Sequence, residues 1–247
     1  MGGRPEGSKV TSWPTVAPAG DRSPLPGDVW LDATSAEVKQ LWWFLDGAIQ
    51  EPHVRQQLWR SWGLCSRHAW LHAVVETELR NQPFSTTILY EDLVSRAAAT
   101  LEHSVGPAWA RIRRLRSRGK CLTCSDLTLA GPPDPSFESR TWRVNRRARI
   151  GRLLGGAVTE WVLRSCPECL GGVGPLCRLH LLAGAPAEPR PVADALVELD
   201  ARLRHFIKSM TWDGPTAGPE HHSSWIEALG WCGGWAYAAQ LLQTQYC

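Results

Sequence analysis

The stretch Cys166-Pro167-Glu168-Cys169-Leu170-Gly171-Gly172-Val173-Gly174-Pro175-Leu176-Cys177-Arg178-Leu179-His180 sets a Cys-x-x-Cys seven residues before a Cys-x-x-His, and four of those seven are Gly or Pro. Two residues between donors let one tight turn aim both side chains at a single point. A tetrahedral metal ion takes four S or N donors at about 2.0–2.3 Å. Glycines with access to positive φ let the chain double back, so the second dyad can close on the first. The same kinds of dyad occur upstream, as Cys65-Ser66-Arg67-His68 and Cys121-Leu122-Thr123-Cys124, and six of the eight cysteines fall in dyads. Cys65, His68, Cys121, Cys124, Cys166, Cys169, Cys177 and His180 are therefore expected as metal ligands, with zinc the first candidate.

Other uses of cysteine fit less well. The first residues do not read as a signal peptide, and dyad spacing is not that of a disulfide framework. Haem attachment needs His directly after Cys-x-x-Cys, and Ser125 and Leu170 stand there instead. An iron–sulfur cluster stays open, because cysteines ligate it equally well. Cys232 and Cys247 match no dyad. Cys232 is expected as a packed thiol and Cys247 as a free terminal one.

The chain of 247 residues is 43% apolar, enough for a sizeable core in one large or two small domains. Net charge is only +3, but it is unevenly spread. Between Arg111 and Arg152 stand eleven Arg and one Lys against Asp126, Asp134 and Glu138, a net of +9 that leaves the remainder at −6. Fourteen Trp stand against three Tyr and four Phe, and core packing is the ordinary use of so many indoles. No run approaches the roughly 18 apolar residues of a membrane span, and Glu6 breaks the myristoylation pattern. A reducing cytoplasm is the expected setting.

Along the chain the pattern is helical throughout, without convincing strand alternation. Residues 1–28, rich in Gly, Pro and Ser, are expected to form a disordered tail. Thr34-Ser35-Ala36-Glu37 is a capping-box pattern that opens a first helix, with Val38, Leu41, Trp42, Leu45 and Ile49 on one face. Pro52 opens a second, running to Trp62 with Gly63 as its cap. Further helices are expected over 69–80, 85–101, 108–118, 137–164 (kinked at Gly151 or Gly155-Gly156), 192–210 and 223–243, with loops at 125–137 and 211–222. The fold class is all-α, with Cys/His metal knuckles between helices. An N-terminal helical repeat is expected over 29–106 and a C-terminal one, carrying most of the knuckles, over 107–247.

Gly63-Leu64-Cys65-Ser66-Arg67-His68-Ala69-Trp70 and Thr87-Ile88-Leu89-Tyr90-Glu91-Asp92-Leu93 resemble a family of uncharacterised bacterial helical proteins defined only as a domain of unknown function. Trp212-Asp213, Ser224-Trp225-Ile226 and Ala228-Leu229 resemble the family's C-terminal end, and the likeness spans roughly 30–232. It implies a helical duplication in which each half carries a Cys-Pro-x-Cys and a Gly-[Phe/Leu]-Cys-x-x-His, and it carries no activity. The family's first Cys-x-x-Cys belongs just before the first helix, where this chain has Asp28-Val29-Trp30-Leu31-Asp32. The first site has thus lost half its local ligands or borrows them.

Three pairings of the dyads are open. A local one joins Cys166/Cys169 with Cys177/His180 and leaves Cys65/His68 to Cys121/Cys124; a short Gly-rich link closes at low entropic cost, which favours it. A repeat pairing joins Cys121/Cys124 with Cys177/His180, and, apart from the pairings, a single zinc with idle cysteines is the plainer alternative. Sites of four protein donors are structural. Glu168, between two ligands, is expected as an exposed knuckle residue rather than a general base, and His221-His222 as part of a solvated loop. Arg113, Arg114, Arg143, Arg146 and Arg147 are the candidates for contact with nucleic acid or an acidic protein partner, because cationic helices bracketing a zinc knuckle suit a phosphate backbone. The expected role is binding or regulation. The competing class is a metal- or iron–sulfur-dependent enzyme of a specialised bacterial pathway. Oligomeric state is not legible.

Overall fold

The computed structural model describes residues 32–127, 134–185 and 187–243. The expected tail and Cys247 lie outside them. Fourteen α-helices order the described residues: α1 (Ser35–Leu45), α2 (Pro52–Ser61), α3 (Ser66–Arg80), α4 (Phe84–His103), α5 (Ala108–Arg113), α6 (Leu122–Leu127), α7 (Glu138–Arg146), α8 (Ala148–Gly156), α9 (Val158–Leu163), α10 (Pro167–Leu170), α11 (Arg178–Leu182), α12 (Pro189–Ser209), α13 (Pro219–Gly233) and α14 (Ala236–Gln243). No strand occurs among the described residues, so the class is all-α.

The layers grow from α3, which is buried on every side from His68 to Glu78. α1, α4, α7, α8 and α13 pack around it, and α4 in turn carries α12 along its length. One apolar cluster runs from Ala33 to Leu241, so residues before and after the bend at Gly106 share a core. Trp70, Trp161 and Trp225 are its largest fully buried side chains.

Local chemistry accounts for most of the boundaries. Thr34 caps α1, accepting from Glu37 N–H while the Glu37 carboxylate accepts from Thr34 N–H. α2 ends with Trp62 left-handed at φ 56° and Gly63 at φ 90°, whose N–H returns to Leu58 O at 2.8 Å. That turn delivers Cys65 to the N-cap of α3.

Five expected boundaries differ, three of them for a tertiary reason; the expected loop 125–137 starts inside α6 and ends in a 3-10 turn at Pro135–Phe137. The basic helix stops at Arg113 rather than 118, because Trp62 Nε1 donates to Arg114 O and Arg178 Nη1 to Leu115 O, taking carbonyls a longer helix would use. The long helix over 137–164 breaks twice. At Arg147 (φ 55°) the Glu78 carboxylate caps a new helix through Arg149 and Ile150 N–H, and before Ala157 the Trp161 indole donates to Leu154 O. The last helix breaks at Gly234 (φ 84°), whose carbonyl accepts from Trp70 Nε1. The expected loop 211–222 is shorter, since Pro219 already opens α13 and brings His221 and His222 into its first turn.

Candidate metal centres and the basic surface

All eight predicted ligands fall into two groups of four. Cys65, His68, Cys121 and Cys124 form the first, Cys166, Cys169, Cys177 and His180 the second, and in each the donor atoms lie within 4.8 Å of one another. The pairing is the local one. The first group joins the start of α3 to the start of α6, so the Cys-x-x-His without a preceding partner takes Cys121 and Cys124 from 53 or more residues downstream.

One local device builds the dyads. Cys65, Cys166 and Cys177 are the N-caps of α3, α10 and α11, and Cys121 stands immediately before α6. Their partners lie three residues on, so the spacing x-x is the capping-box spacing, which turns both side chains to one side of the helix start. In every dyad the second ligand's backbone N–H bonds the first ligand's sulfur and favours its thiolate. The Gly-rich link closes the second group. A Cβ at Gly174 would overlap the Arg164 carbonyl and one at Gly172 the Ser165 carbonyl, while Val173 N–H bonds Leu163 O.

The distances are those of one ion. A tetrahedron with bonds of about 2.3 Å to sulfur and 2.0–2.1 Å to nitrogen has edges of about 3.8 Å between sulfurs and about 3.5 Å between S and N. Cys65 Sγ–Cys124 Sγ is 3.9 Å and Cys169 Sγ–Cys177 Sγ 3.8 Å. His68 Nδ1 lies 3.4, 3.6 and 3.3 Å from the sulfurs of Cys65, Cys121 and Cys124. His180 Nδ1 lies 3.4 Å from each of its three. A disulfide needs about 2.05 Å. The residues thus fit a single tetrahedral metal ion in each group, held by three sulfurs and a histidine Nδ1. The hydrogen bond from Cys65 draws the Cys121 thiol down to about 3 and leaves Cys65 raised. The bond from Cys169 likewise lowers Cys166, and Cys177 is pushed up to about 11 by its bond to Cys166.

The groups differ in what surrounds them. His68 Nε2 meets Glu37 Oε1 at 3.2 Å, and Arg67 grips both oxygens of that carboxylate at 2.9 and 3.1 Å. A carboxylate behind a ligating histidine fixes its tautomer and ring. Burial would raise the Glu37 carboxyl, but bonds from His68, Arg67 and Thr34 hold it well below the ordinary value. Beside the second group lies Arg178, buried, and among the described residues no carboxylate bonds it. Its Nε donates to Cys232 O at 3.0 Å and its Nη1 to Leu115 O at 3.1 Å. Cys232 is the expected packed thiol, pushed up to about 12 by burial. Glu37 and Arg178 escaped sequence reasoning as site residues; Glu37 was visible only as a helix cap.

The five candidate arginines are placed differently from one another. Arg113 and Arg114 are exposed on α5 and the turn after it. Arg146 is exposed with its guanidinium 4.8 Å from the Trp142 ring. Arg143 Nη2 donates to Glu78 O, and Arg147 pairs with Asp32 at 3.0 Å, so these two serve the packing of α3 and the α7–α8 junction. Trp109 and Trp142, expected in the core, are 65% and 60% exposed. A cleft of about 450 Å³ lies between α12, α13 and the Gly-rich link, but its charges are internally matched, with Glu227 taking Arg202 at 2.8 and 2.7 Å and Arg164 at 3.4 Å. No helix among the described residues is long and apolar enough to cross a membrane.

No known protein family, curated protein or solved structure matches this chain.

Proposed function

We propose that the protein is a zinc-held helical scaffold that acts by binding a polyanionic or acidic partner in a reducing cytoplasm. The observation that carries this is the donor set: four protein groups per site at one-ion spacing leave no open position for a water, which is the structural and not the catalytic pattern. Three sulfurs and a histidine suit zinc among common ions. The close sulfur contacts favour one ion over a multi-iron cluster, whose ligating sulfurs sit on different irons and stand farther apart. Binding, rather than chemistry at the metal, is then left to the surface, where Arg113, Arg114, Arg116, Arg118 and Lys120 are exposed between the two sites.

Metal content and an absorption spectrum of protein purified without added metal test the reading. About two zinc per chain, no visible colour and salt-dependent retention on heparin are expected. Cys169→Ser should remove about one zinc and lower the unfolding midpoint, because structural zinc contributes folding free energy. Iron with sulfide absorbing in the visible, or a Cys169→Ser protein that keeps both ions and full stability, would overturn it.

A further inference from the structure

The segment after α5 is anchored by its backbone and free at its side chains. Trp62 Nε1 holds Arg114 O, Arg178 Nη1 holds Leu115 O, and Arg118 N–H bonds Arg60 O at 2.8 Å. Leu115 is fully buried beneath them, and Cys121 fixes the far end in the first metal group. Above this anchored backbone, Arg113, Arg114, Arg116 and Arg118 are exposed, and among the described residues none has an acidic side chain within ion-pair distance. They line a shallow hollow of about 310 Å³ together with the exposed indole of Trp109. The carboxylate lining the adjoining hollow, Asp126, is taken by Gln40 at 2.6 Å. Unmatched cations in a row, on a fixed backbone, beside an exposed ring, differ in kind from the self-neutralised cleft near Glu227.

We infer that this strip binds single-stranded nucleic acid, one base stacking on Trp109 while Arg113, Arg114, Arg116 and Arg118 take the adjoining phosphates. The inference rests on the polyanion-binding reading and names its ligand. An indole reaches a base only when that base is splayed from its stack, which a single strand offers and a duplex does not. α5 is six residues long and packs Ile112 against the core, so it is not a projecting reader of a major groove. An acidic protein would meet the arginines but gives the indole no base to stack on. Four cations within six residues exceed what a mononucleotide's phosphate uses.

Fluorescence anisotropy on the full chain with both metals in place tests this, using a labelled strand of about 20 nucleotides as DNA and as RNA. The matching duplex, a mononucleotide and polyglutamate serve as competitors. Strand binding should weaken steeply between about 50 and 200 mM salt. Trp109→Ala should weaken it roughly 5- to 150-fold with an unchanged salt slope, and Trp109→Phe should restore most of the loss. Arg113→Ala with Arg116→Ala should flatten the slope by about 1.4, two single-strand contacts. All these side chains are exposed, so metal content and unfolding midpoint serve as controls and should not move. An unchanged strand affinity in Trp109→Ala overturns the inference. So does competition by duplex, mononucleotide or polyglutamate as strong as by the strand itself. In either case retention on heparin leaves the broader reading standing, whereas loss of heparin and strand binding together at low salt overturns both.

Discussion

Glu37 Oε1 lies 3.2 Å from His68 Nε2, and the same carboxylate accepts from Arg67 and from the N–H of Thr34. As a helix cap, Glu37 satisfies a backbone donor; as the group behind a ligand, it sets the Nδ1 of His68 toward three sulfurs. Two substitutions separate the roles. Glu37→Gln should weaken metal binding at the first site by about 10- to 100-fold, the usual cost of losing such a carboxylate. Thr34→Ala removes a cap at about 1 kcal/mol and should leave metal affinity where it was. Chelator competition reads affinity and urea unfolding reads the cap. Equal affinities in the two variants would reduce Glu37 to a capping residue. The cap was legible because Thr34 and Glu37 are three residues apart. The metal role was not, because His68 is 31 residues away and only the packing of α1 on α3 joins them.

At the scale of elements, α3 acts as a frame whose two C-terminal glutamates start other helices. Glu76 accepts from Ser85 and Thr86 N–H at the start of α4, and Glu78 accepts from Arg149 and Ile150 N–H at 2.7 and 3.0 Å at the start of α8. Both are buried, and so are Thr86 and Ile150, whose N–H groups have no water to turn to. Glu78→Ala should therefore destabilise the protein by about 1–3 kcal/mol or more, with hydrogen exchange at Arg149 and Ile150 rising ahead of global opening. Exchange that stays slow there would mean that another group caps α8. The same contact explains why a single helix over 137–164 was expected. Its apolar periodicity carries across Arg147, while the carboxylate that breaks it comes from 71 residues earlier. Dyads, caps at Thr34 and Gly63, and the apolar face of α12 are local features and were legible, although α12 starts at Pro189 rather than at 192. The short link made the second metal group legible too. Which Trp face solvent was not, because helical position says nothing of which helix covers it, and Trp109 and Trp142 are left uncovered.

Over the whole molecule, one buried cation ties the metal sites to the basic strip. Three thiolates around a divalent ion would leave a net negative charge at the second site, and Arg178 stands inside that site's own Cys-x-x-His. From there its guanidinium spans Cys232 O at the end of α13 and Leu115 O beneath the arginines. Burial lowers the Arg178 pKa, and the neighbouring Cys232, Tyr90 and Cys177 oppose that shift. The first metal group fixes the strip's other end through Cys121. Lysine keeps the charge but cannot reach both carbonyls with a planar fork. Arg178→Lys should thus retain both metals and leave one buried carbonyl unmet, at about 1–3 kcal/mol. Hydrogen exchange over 114–118 should accelerate, and heparin elution should move to lower salt although no exposed arginine has changed. Unchanged exchange over those residues would show that Trp62 and the first metal group hold the strip without Arg178, and the coupling of the second site to the surface would fall.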